Sequence, residues 1–297
     1  MSGESTKFSI IMPTYNQADY ILQSIATVLS QDFTEWELIV IDNSSDDGTE
    51  SLLAGINDSR VRVINCNNGG IIARSRNLGI ESASNPWIAF LDSDDLWDSR
   101  KLSHMAGIIQ RFNPDLIYHQ MRYVSHDISG KKVKTRKLRS NAFEDLLIAG
   151  NPIANSSVVV RKSILNQVGL MSEERELVGC EDYNSWLKIA KLKATFYFAK
   201  QTLGGYRIHE NNFSTSARKV IHLGATKEFT LDLPIRVKTK MNSHNAYLLA
   251  RHFASNRNYA KAKENYILTI KGGSILLRFK ATLLLVICFF RSHSYWW

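Results

Sequence analysis

Four short apolar segments, each followed by polar residues, constrain the fold more than any other feature of the chain. They are FSIIM (8–12), LIVI (38–41), VRVIN (61–65) and WIAFL (87–91). Amphipathic segments lie between them, as in residues 19–30, which are expected to share one helical face through Ile21, Leu22, Ile25, Val28 and Leu29. Strands that are apolar on both faces have to be covered by helices on both sides. The pattern therefore predicts an α/β sandwich with a mostly parallel sheet.

Polar side chains mark the ends of three of these strands. Residues 13–15 follow the first strand, Asp42 ends the second, and Asp92 and Asp94 follow the fourth. The carboxyl ends of parallel strands lie at one edge of a sheet, which is where ligands bind in such folds. The chain contains neither GxGxxG nor GxxxxGK[ST]. A dinucleotide fingerprint or a P-loop therefore does not explain this edge.

The tripeptide Asp92-Ser93-Asp94 is a D-x-D motif at a strand end. On an extended segment its two carboxylates point the same way and can face one ion. Mg²⁺ and Mn²⁺ prefer oxygen ligands and are often held by one or two carboxylates together with substrate phosphates. The motif thus indicates a metal–diphosphate site. Taken alone, the same acids also fit a cap for the residues that follow.

The net charge of +9 is distributed unevenly along the chain. Residues 1–199 contain 21 Lys and Arg against 24 Asp and Glu, whereas residues 200–297 contain 16 against 4. A basic surface attracts nucleic acid or anionic lipid, and an ordinary solvated face is the alternative. The mean hydropathy of −0.19 argues against a polytopic membrane protein. A soluble or peripheral protein is expected.

Cysteine usage and the first residues bear on the compartment. Cys66, Cys180 and Cys288 are far apart and form no CxxC pair. This argues against a disulfide framework or a structural zinc site and is compatible with a reducing cytoplasm. The first residues lack a basic segment followed by a long apolar one, so no signal peptide is predicted.

Three segments in order resemble glycosyltransferase family 2, the inverting transferases of the GT-A fold: SIIMPTYNQADYILQSIATVLSQ, ELIVIDNSSDDGT and ARSRNLGIESASNPWIAFLDSDD. The resemblance extends over roughly residues 7–210. It implies a GT-A catalytic domain over 1–212, with a nucleotide-sugar-binding half (1–98) and an acceptor-side half (99–212). Residues 213–297 are then a basic helical region that ends in an interfacial tail, 274–297.

The resemblance also implies a nucleotide-sugar site. Asp42 would accept a hydrogen bond from uracil, and Arg76 and Asn77 would lie under the donor. The residues that would bind the nucleotide sugar are Pro13, Thr14, Tyr15, Asp42, Arg76, Asn77, Asp92 and Ser93. The chain departs from the family pattern at Asn43, where a second acid is usual, and in the spacing of the Gly-Gly pair before Arg76.

The metal and the base are implied in the same way. Asp94 would be the more direct ligand of Mn²⁺ or Mg²⁺, with Asp92 beside it and His209 of the YRIH segment within reach. The pair Glu181-Asp182 matches the family's E-D at a helix start. Asp182 would be the catalytic base, with Glu181 the next candidate.

The function that follows is transfer of a hexose from a nucleotide sugar, UDP-linked by the resemblance, to a lipid-linked glycan of the cell surface. The chain has no Q-x-x-R-W and no apolar run of the roughly 20 residues that a span needs, which argues against a processive synthase. A cytoplasmic enzyme, peripheral at the inner face of the membrane, is expected, and an oligomer is compatible with the sequence. A sugar nucleotidyltransferase is the alternative enzyme, although PTYNQADY lacks its Gly-rich basic loop. A nucleic-acid-binding protein that uses residues 131–139 and the basic tail is the non-enzyme alternative, and it would leave the acids unexplained.

The tail itself has an interfacial composition. The uncharged run 281–290 is shorter than the roughly 20 apolar residues that a spanning helix needs. Arg278, Lys280 and Arg291 flank this run, and residues 295–297 are aromatic. Such a segment suits an anionic lipid surface. Packing as an ordinary core helix or as an oligomer contact is the alternative interpretation.

Overall fold

The computed structural model describes residues 6–124, 128–209, 224–231 and 233–293. These residues form two compact units. One contains the described residues up to Leu138 and from Pro152 to His209, and the other contains Arg139–Asn151 and the described residues from 224 onward. Residues 139–151, expected in the catalytic domain, therefore belong to the second unit. The predicted boundary between 212 and 213 lies outside the described residues.

The first unit is built on a nine-stranded sheet. Its strands are β1 (Phe8–Thr14), β2 (Trp36–Asp42), β3 (Val61–Asn65), β4 (Trp87–Phe90), β5 (Leu96–Trp97), β6 (Leu116–Val124), β7 (Ile128–Lys132), β8 (Val159–Arg161) and β9 (Phe196–Arg207). They are ordered β3-β2-β1-β4-β8-β6-β9-β5, and β7 pairs with β6. The strands β1 to β4 are parallel, whereas β8 runs antiparallel to both β4 and β6. The predicted α/β architecture is confirmed, and its second half is mixed rather than parallel.

Helices cover this sheet and set the position of the edge residues. They are α1 (Ile21–Leu29), α2 (Thr49–Ala54), α3 (Ile72–Ser82), α4 (Lys101–Phe112), α6 (Lys162–Gln167) and α7 (Glu181–Lys191). The helix α3 lies close to β1 and β2 because Gly79 has no side chain. A Cβ at Gly79 would lie 2.6 Å from Ile11 Cγ2 and 2.7 Å from Ile41 Cδ1. This contact fixes the height of α3 over the sheet.

The core of the first unit lies on both faces of the central strands. Ile10, Val40 and Ala89, on three neighbouring strands, are fully buried. The strand β3 differs from the expectation of two covered faces, because Val63 is 37% exposed. The reason is that β3 is an edge strand with a neighbour on one side only.

The second unit is helical. It contains α5 (Ala142–Ala149), α8 (Ile235–Ser255), α9 (Tyr259–Gly272) and α10 (Ile275–His293). Its core cluster joins α8, α9 and α10 through Ala250, Ala262, Tyr266, Ala281 and Cys288. Within the described ranges, no helix combines the length and the apolar character that crossing a bilayer requires. Tyr295, Trp296 and Trp297 lie outside the described residues.

Candidate active site

The strand ends predicted to form one edge do lie side by side. β1 is the central strand of the parallel group, flanked by β2 and β4. Thr14 pairs in register with Asp42, and Asp92 follows the end of β4. Pro13 and Thr14 are buried and Tyr15 is 55% exposed. The Thr14 hydroxyl has no hydrogen-bond partner among the described residues.

Asp42 is buried at this edge and already bonded to its own turn. Its Oδ1 accepts a hydrogen bond from the Ser45 hydroxyl at 2.5 Å. The neighbouring Asn43, which replaces the usual acid, accepts the Asn68 N–H at 2.7 Å. The side-chain amide of Asn43 therefore holds the loop that follows β3. This contact is structural and does not require a carboxylate at position 43. The contact of Asp42 with uracil stays a prediction.

The first half of the D-x-D loop is clamped from two sides. The Asp92 N–H donates to the Ser156 hydroxyl at 3.0 Å. The Ser24 hydroxyl, on α1, donates to the Ser93 carbonyl at 2.7 Å. Ser93 is therefore a buried part of the loop scaffold. Its backbone is held whether or not a ligand is bound.

Arg207, at the end of β9, clamps the second half. Its Nε donates to the Asp94 carbonyl at 2.8 Å, and its backbone N–H donates to Asp95 Oδ1 at 3.0 Å. A second guanidinium nitrogen donates to Gln23 Oε1 at 2.9 Å. The guanidinium also lies 4.9 Å from the centre of the Tyr20 ring. One side chain thus ties the D-x-D loop to α1.

Arg76, on α3, joins the two acidic motifs. It is 3% exposed, donates to Asp92 Oδ1 at 2.8 Å and forms an ion pair with Glu181. Burial opposes its charge, but Asp92 and Glu181 outweigh burial, so the pKa of Arg76 is raised. Asn155 adds an amide N–H to Asp92 Oδ1 at 3.0 Å. The fixed positive charge under Asp92 is therefore built into the protein.

The two acids at the start of α7 have different environments. Glu181 is buried, with one oxygen paired to Arg76 and the other accepting the Gly179 N–H at 2.7 Å. Asp182 is half-buried and accepts the Tyr183 N–H at 2.6 Å. Burial, and then the charge of Glu181, raise the pKa of Asp182 to about 7, against the opposing effect of Arg76. Asp182 is thus the acid of this pair that is suited to exchange a proton near neutral pH.

Asp94 and His209 form the part of the site that suits a divalent cation. His209 Nε2 lies 2.9 Å from Asp94 Oδ2, and the His209 ring packs against the Tyr20 ring with 4.7 Å between centroids and a tilt of 32°. Burial and the neighbouring charge of Asp92 raise the pKa of Asp94, so a cation here would relieve repulsion between the two carboxylates. No cluster of three or more potential ligands is found within the described ranges. The donor set fits an ion that completes its shell with diphosphate and water oxygens.

Asn77 and Arg74 lie on the same helix as Arg76 and are not brought to these carboxylates. The Asn77 amide donates to the Met171 carbonyl at 2.9 Å and accepts the Met171 N–H at 3.0 Å. Arg74 pairs with Glu173 at 3.2 Å near the surface. Both side chains hold residues 171–173 against α3. A place for Asn77 under the donor stays a prediction.

The sequence interpretation missed the buried support beneath the loop. Lys101 is fully buried, donates to the Ser156 carbonyl at 2.8 Å and lies 3.5 Å above the Trp97 ring. Burial lowers the pKa of Lys101 well below its usual value, and it raises that of the buried Asp95 well above. Ser156 thus supports the loop with both its hydroxyl and its carbonyl. A lysine at the start of α4 and a serine before β8 carry no periodic signal, so only the fold reveals them.

Solved structures share this fold. TarS from S. aureus, in a crystal structure with UDP-GlcNAc, is 20% identical with a TM-score of 0.62, covering 92% of this chain and 83% of that one. The mannosyltransferase PcManGT from Pyrobaculum calidifontis, in complex with GDP-Man and Mn²⁺, is 16% identical with a TM-score of 0.60, covering 98% and 82%. These likenesses show the GT-A fold, with a C-terminal helical part. The predicted fold class is therefore confirmed.

Sequence comparison gives the family. The family model for glycosyl transferase family 2 matches residues 9–167. WfgD of Escherichia coli, named as a UDP-Glc:α-D-GlcNAc-diphosphoundecaprenol β-1,3-glucosyltransferase, is 32% identical over 223 residues, 73% of this chain and 85% of that protein. WfaP of Escherichia coli, which carries the same activity in its name, is 30% identical over 215 residues, 71% and 81% of the two chains. The chain belongs to glycosyl transferase family 2 and is a glycosyltransferase, as its motifs predicted.

Proposed function

We propose that this glycosyltransferase moves a hexose, with inversion, from a UDP-sugar to a lipid-linked glycan in the synthesis of a cell-surface polysaccharide. One observation carries the proposal. Arg76 pairs with both Asp92 and Glu181, and beside them burial and the charge of Glu181 raise the pKa of Asp182 to about 7. A fixed cation and a proton acceptor are therefore close together. An inverting transfer needs both kinds of group.

In an inverting transfer the acceptor hydroxyl attacks the anomeric carbon on the face opposite the leaving diphosphate. The hydroxyl loses a proton as it attacks, and Asp182 is the base proposed to take it. Glu181 is a poorer candidate because both of its oxygens are already bonded, to Arg76 and to the Gly179 N–H. The ion pair with Arg76 therefore keeps Glu181 in a structural role. This contrast supports Asp182 over its neighbour.

The leaving diphosphate gains negative charge, which the donor side of the site has to stabilise. Asp94 and His209 are the residues proposed to hold Mn²⁺ or Mg²⁺, with Asp92 next to them. The ion would supply electrostatic stabilisation of the leaving group. Arg207 and Ser156 keep the loop in place by bonding its backbone. The loop therefore presents its carboxylates without rearranging.

The UDP-linked donor and the lipid-linked acceptor are supported by the relatives. WfgD and WfaP carry UDP-Glc and an undecaprenol-linked acceptor in their names. The uracil is proposed to lie at the end of β1 and β2, near Thr14, Tyr15 and Asp42. The Thr14 hydroxyl, buried without a partner in the described part of the chain, is ready to bond a ligand there. A water-soluble donor and a lipid-linked acceptor meet at a membrane surface. We accordingly propose a peripheral location at the inner face of the cell membrane, with the tail 274–297 in contact with anionic lipid.

The donor side can be tested without an acceptor. UDP binding in the presence of Mn²⁺ should be lost by calorimetry in Asp94→Ala and kept in Asp98→Ala. Asp98 is a matched control because its carboxylate pairs only with the exposed Arg100 among the described residues. UDP-glucose and UDP-GlcNAc should raise the melting temperature more than GDP-mannose does. Unchanged Mn²⁺-supported UDP affinity in Asp94→Ala would contradict the metal assignment, and a preference for GDP-mannose would overturn the uracil assignment.

A further inference from the structure

The outer face of α10 is apolar and exposed. Phe279 is 70% exposed and Phe290 is 69% exposed. The exposed large side chains occur singly or in adjacent pairs, three or four residues apart: Ile275, Leu276, Phe279, Leu283, Val286, Ile287, Phe289 and Phe290. This spacing places them along one side of the helix. A continuous apolar stripe of this kind marks an interaction surface rather than ordinary scatter of surface residues.

The opposite face of α10 packs on α8 and α9, a helix pair whose core side chains follow the spacing of a known repeat. At six positions the helices α8 and α9 have the spacing of a tetratricopeptide pair, although only Leu249 and Ala262 are the residues that this repeat usually carries: Ala246, Leu249, Ala250, Phe253, Ala262 and Tyr266. α10 joins the core of this pair through Ala281 and Cys288. It therefore occupies the place of the first helix of a following repeat.

A terminal helix of a repeat array normally has a polar outer face. α10 has an apolar one, and the described residues provide no further helix to cover it. The packed face accounts for five of the thirteen apolar side chains of α10: Leu277, Ala281, Leu284, Leu285 and Cys288. The exposed stripe therefore needs an occupant outside the described residues of this chain.

The surrounding charges identify the occupant. Residues 233–293 contain eleven Lys and Arg and a single acid, Glu264. α10 carries no acid, Lys280 is exposed on it, and Lys263 lies 5.2 Å from the Phe289 ring centre. A second copy packed on the same stripe would bring cations against cations with no acid in α10 to pair them. An anionic bilayer surface supplies both acyl chains and countercharge.

We infer that α10 lies in the plane of an anionic lipid–water interface, with its apolar stripe toward the acyl chains. The nineteen-residue helix lies along the interface rather than spanning it. Lys280 supplies attraction to the headgroups, whereas Arg278 is committed to the end of α9, where its Nε donates to the Gly273 carbonyl at 2.7 Å. The biological role of this surface, access to a lipid-linked acceptor, rests on the proposed function. The lipid affinity itself depends only on the apolar stripe and the charges around α10.

Vesicle co-sedimentation with a matched pair of double variants tests the inference. Leu276→Gln with Leu283→Gln replaces two exposed leucines seven residues apart on α10, which are 64% and 55% exposed. Leu22→Gln with Leu29→Gln makes the same change at the same spacing on α1, where the leucines are 44% and 39% exposed. The full chain should bind vesicles of phosphatidylcholine with phosphatidylglycerol. The α10 variant should lose about tenfold or more of that partitioning, and the α1 variant should keep it.

Three further readings separate the outcomes. Lys280→Ser should weaken binding to the anionic vesicles about fivefold and leave the weak binding to pure phosphatidylcholine unchanged. Equal sedimentation of the α10 and α1 variants would overturn the inference. A dimer in lipid-free solution that the α10 variant converts to a monomer would assign the stripe to a second copy and also overturn it.

UDP release from UDP-sugar should be equal in full-length protein and the α10 variant. If neither releases UDP while vesicle binding persists, the proposed function fails and the membrane surface stands.

Discussion

The two units treat charge in opposite ways. The sheet unit buries charged side chains and gives each one partners, as Arg76 does with Asp92 and Glu181. The helical unit leaves its cations at the surface and exposes apolar side chains beside them, as with Lys280 and Phe279. Buried charges with fixed partners need no rearrangement when a reacting group gains charge. For Lys280 the proposed partners are lipid headgroups, which are fluid and are not fixed in place.

The largest effect is expected at the proposed base. Asp182→Asn keeps the shape of the side chain and removes its ability to accept a proton. Turnover should fall about 10²–10⁴-fold, while the affinity for UDP changes little. Turnover and UDP calorimetry on the same preparation check this. A variant that turns over within a few-fold of the parent would exclude Asp182 as the base and direct attention to Glu181.

The next effect compares two arginines on α3 that both pair with carboxylates. Arg76→Met leaves the buried Glu181 and the half-buried Asp92 without their cation, and the free energy of unfolding should drop by about 3–5 kcal/mol. Arg74→Met breaks the exposed pair with Glu173 and should cost no more than about 1 kcal/mol. Urea denaturation of both variants measures the difference. Equal losses of unfolding free energy would mean that burial does not determine how much each ion pair contributes to stability.

The pH profile gives a smaller effect within the range of the assay. Burial and Glu181 raise the pKa of Asp182 to about 7, and a base works only in its deprotonated form. Turnover should therefore be constant above that pH and fall about tenfold for each unit below it. The residual turnover of Asp182→Asn should lack this dependence. A variant that keeps the same acid limb would show that another group titrates.

The smallest effect is expected on the outer face of α10. Leu276→Gln with Leu283→Gln changes exposed side chains and should alter the free energy of unfolding by no more than about 0.5 kcal/mol per site. By contrast, Ala262→Leu in the buried contact between the helices should destabilise by about 1–3 kcal/mol, because Ala262 is fully buried. Denaturation curves in the absence of lipid measure both. A large loss in the leucine variant would indicate that the stripe is packed in solution.

Local patterns predicted the first half of the fold because each apolar run there is one strand and each amphipathic run is one helix. Segment 87–91 became β4, Trp87–Phe90, and segment 19–30 contains α1, Ile21–Leu29. The second half was harder because its pairings join distant segments. β9 is one continuous strand, Phe196–Arg207, although Lys200, Gln201 and Thr202 interrupt its apolar residues. Its pairing with β6 contains register shifts that no local period encodes.

The site shows the same division. The acids stand in recognisable motifs, so Asp92, Asp94 and Asp182 could be singled out along the chain. The groups that support them could not, because Ser156 and Lys101 are distant in sequence from the acids and bond backbone atoms, Asp92 N–H and the Ser156 carbonyl, which no motif marks. Arg76 was singled out, but its role as the shared partner of two acids depends on α3 meeting α7. Such a meeting is a property of the packed fold.

Residues 139–151 interrupt the sheet unit in sequence and belong to the helical unit, which affects where the gene can be cut to express the sheet unit alone. α5 lies in this segment and buries Leu146 and Leu147. Its Phe143 ring meets Phe229 at 5.5 Å, and Gly150 leaves room for the imidazole of His244. A fragment that stops at the end of the sheet unit would therefore retain α5 without the rest of the helical unit. The buried apolar side chains of α5 would then be exposed to solvent. An expressible catalytic fragment would need a short polar bridge from residue 138 to residue 152 as well as a new stop codon.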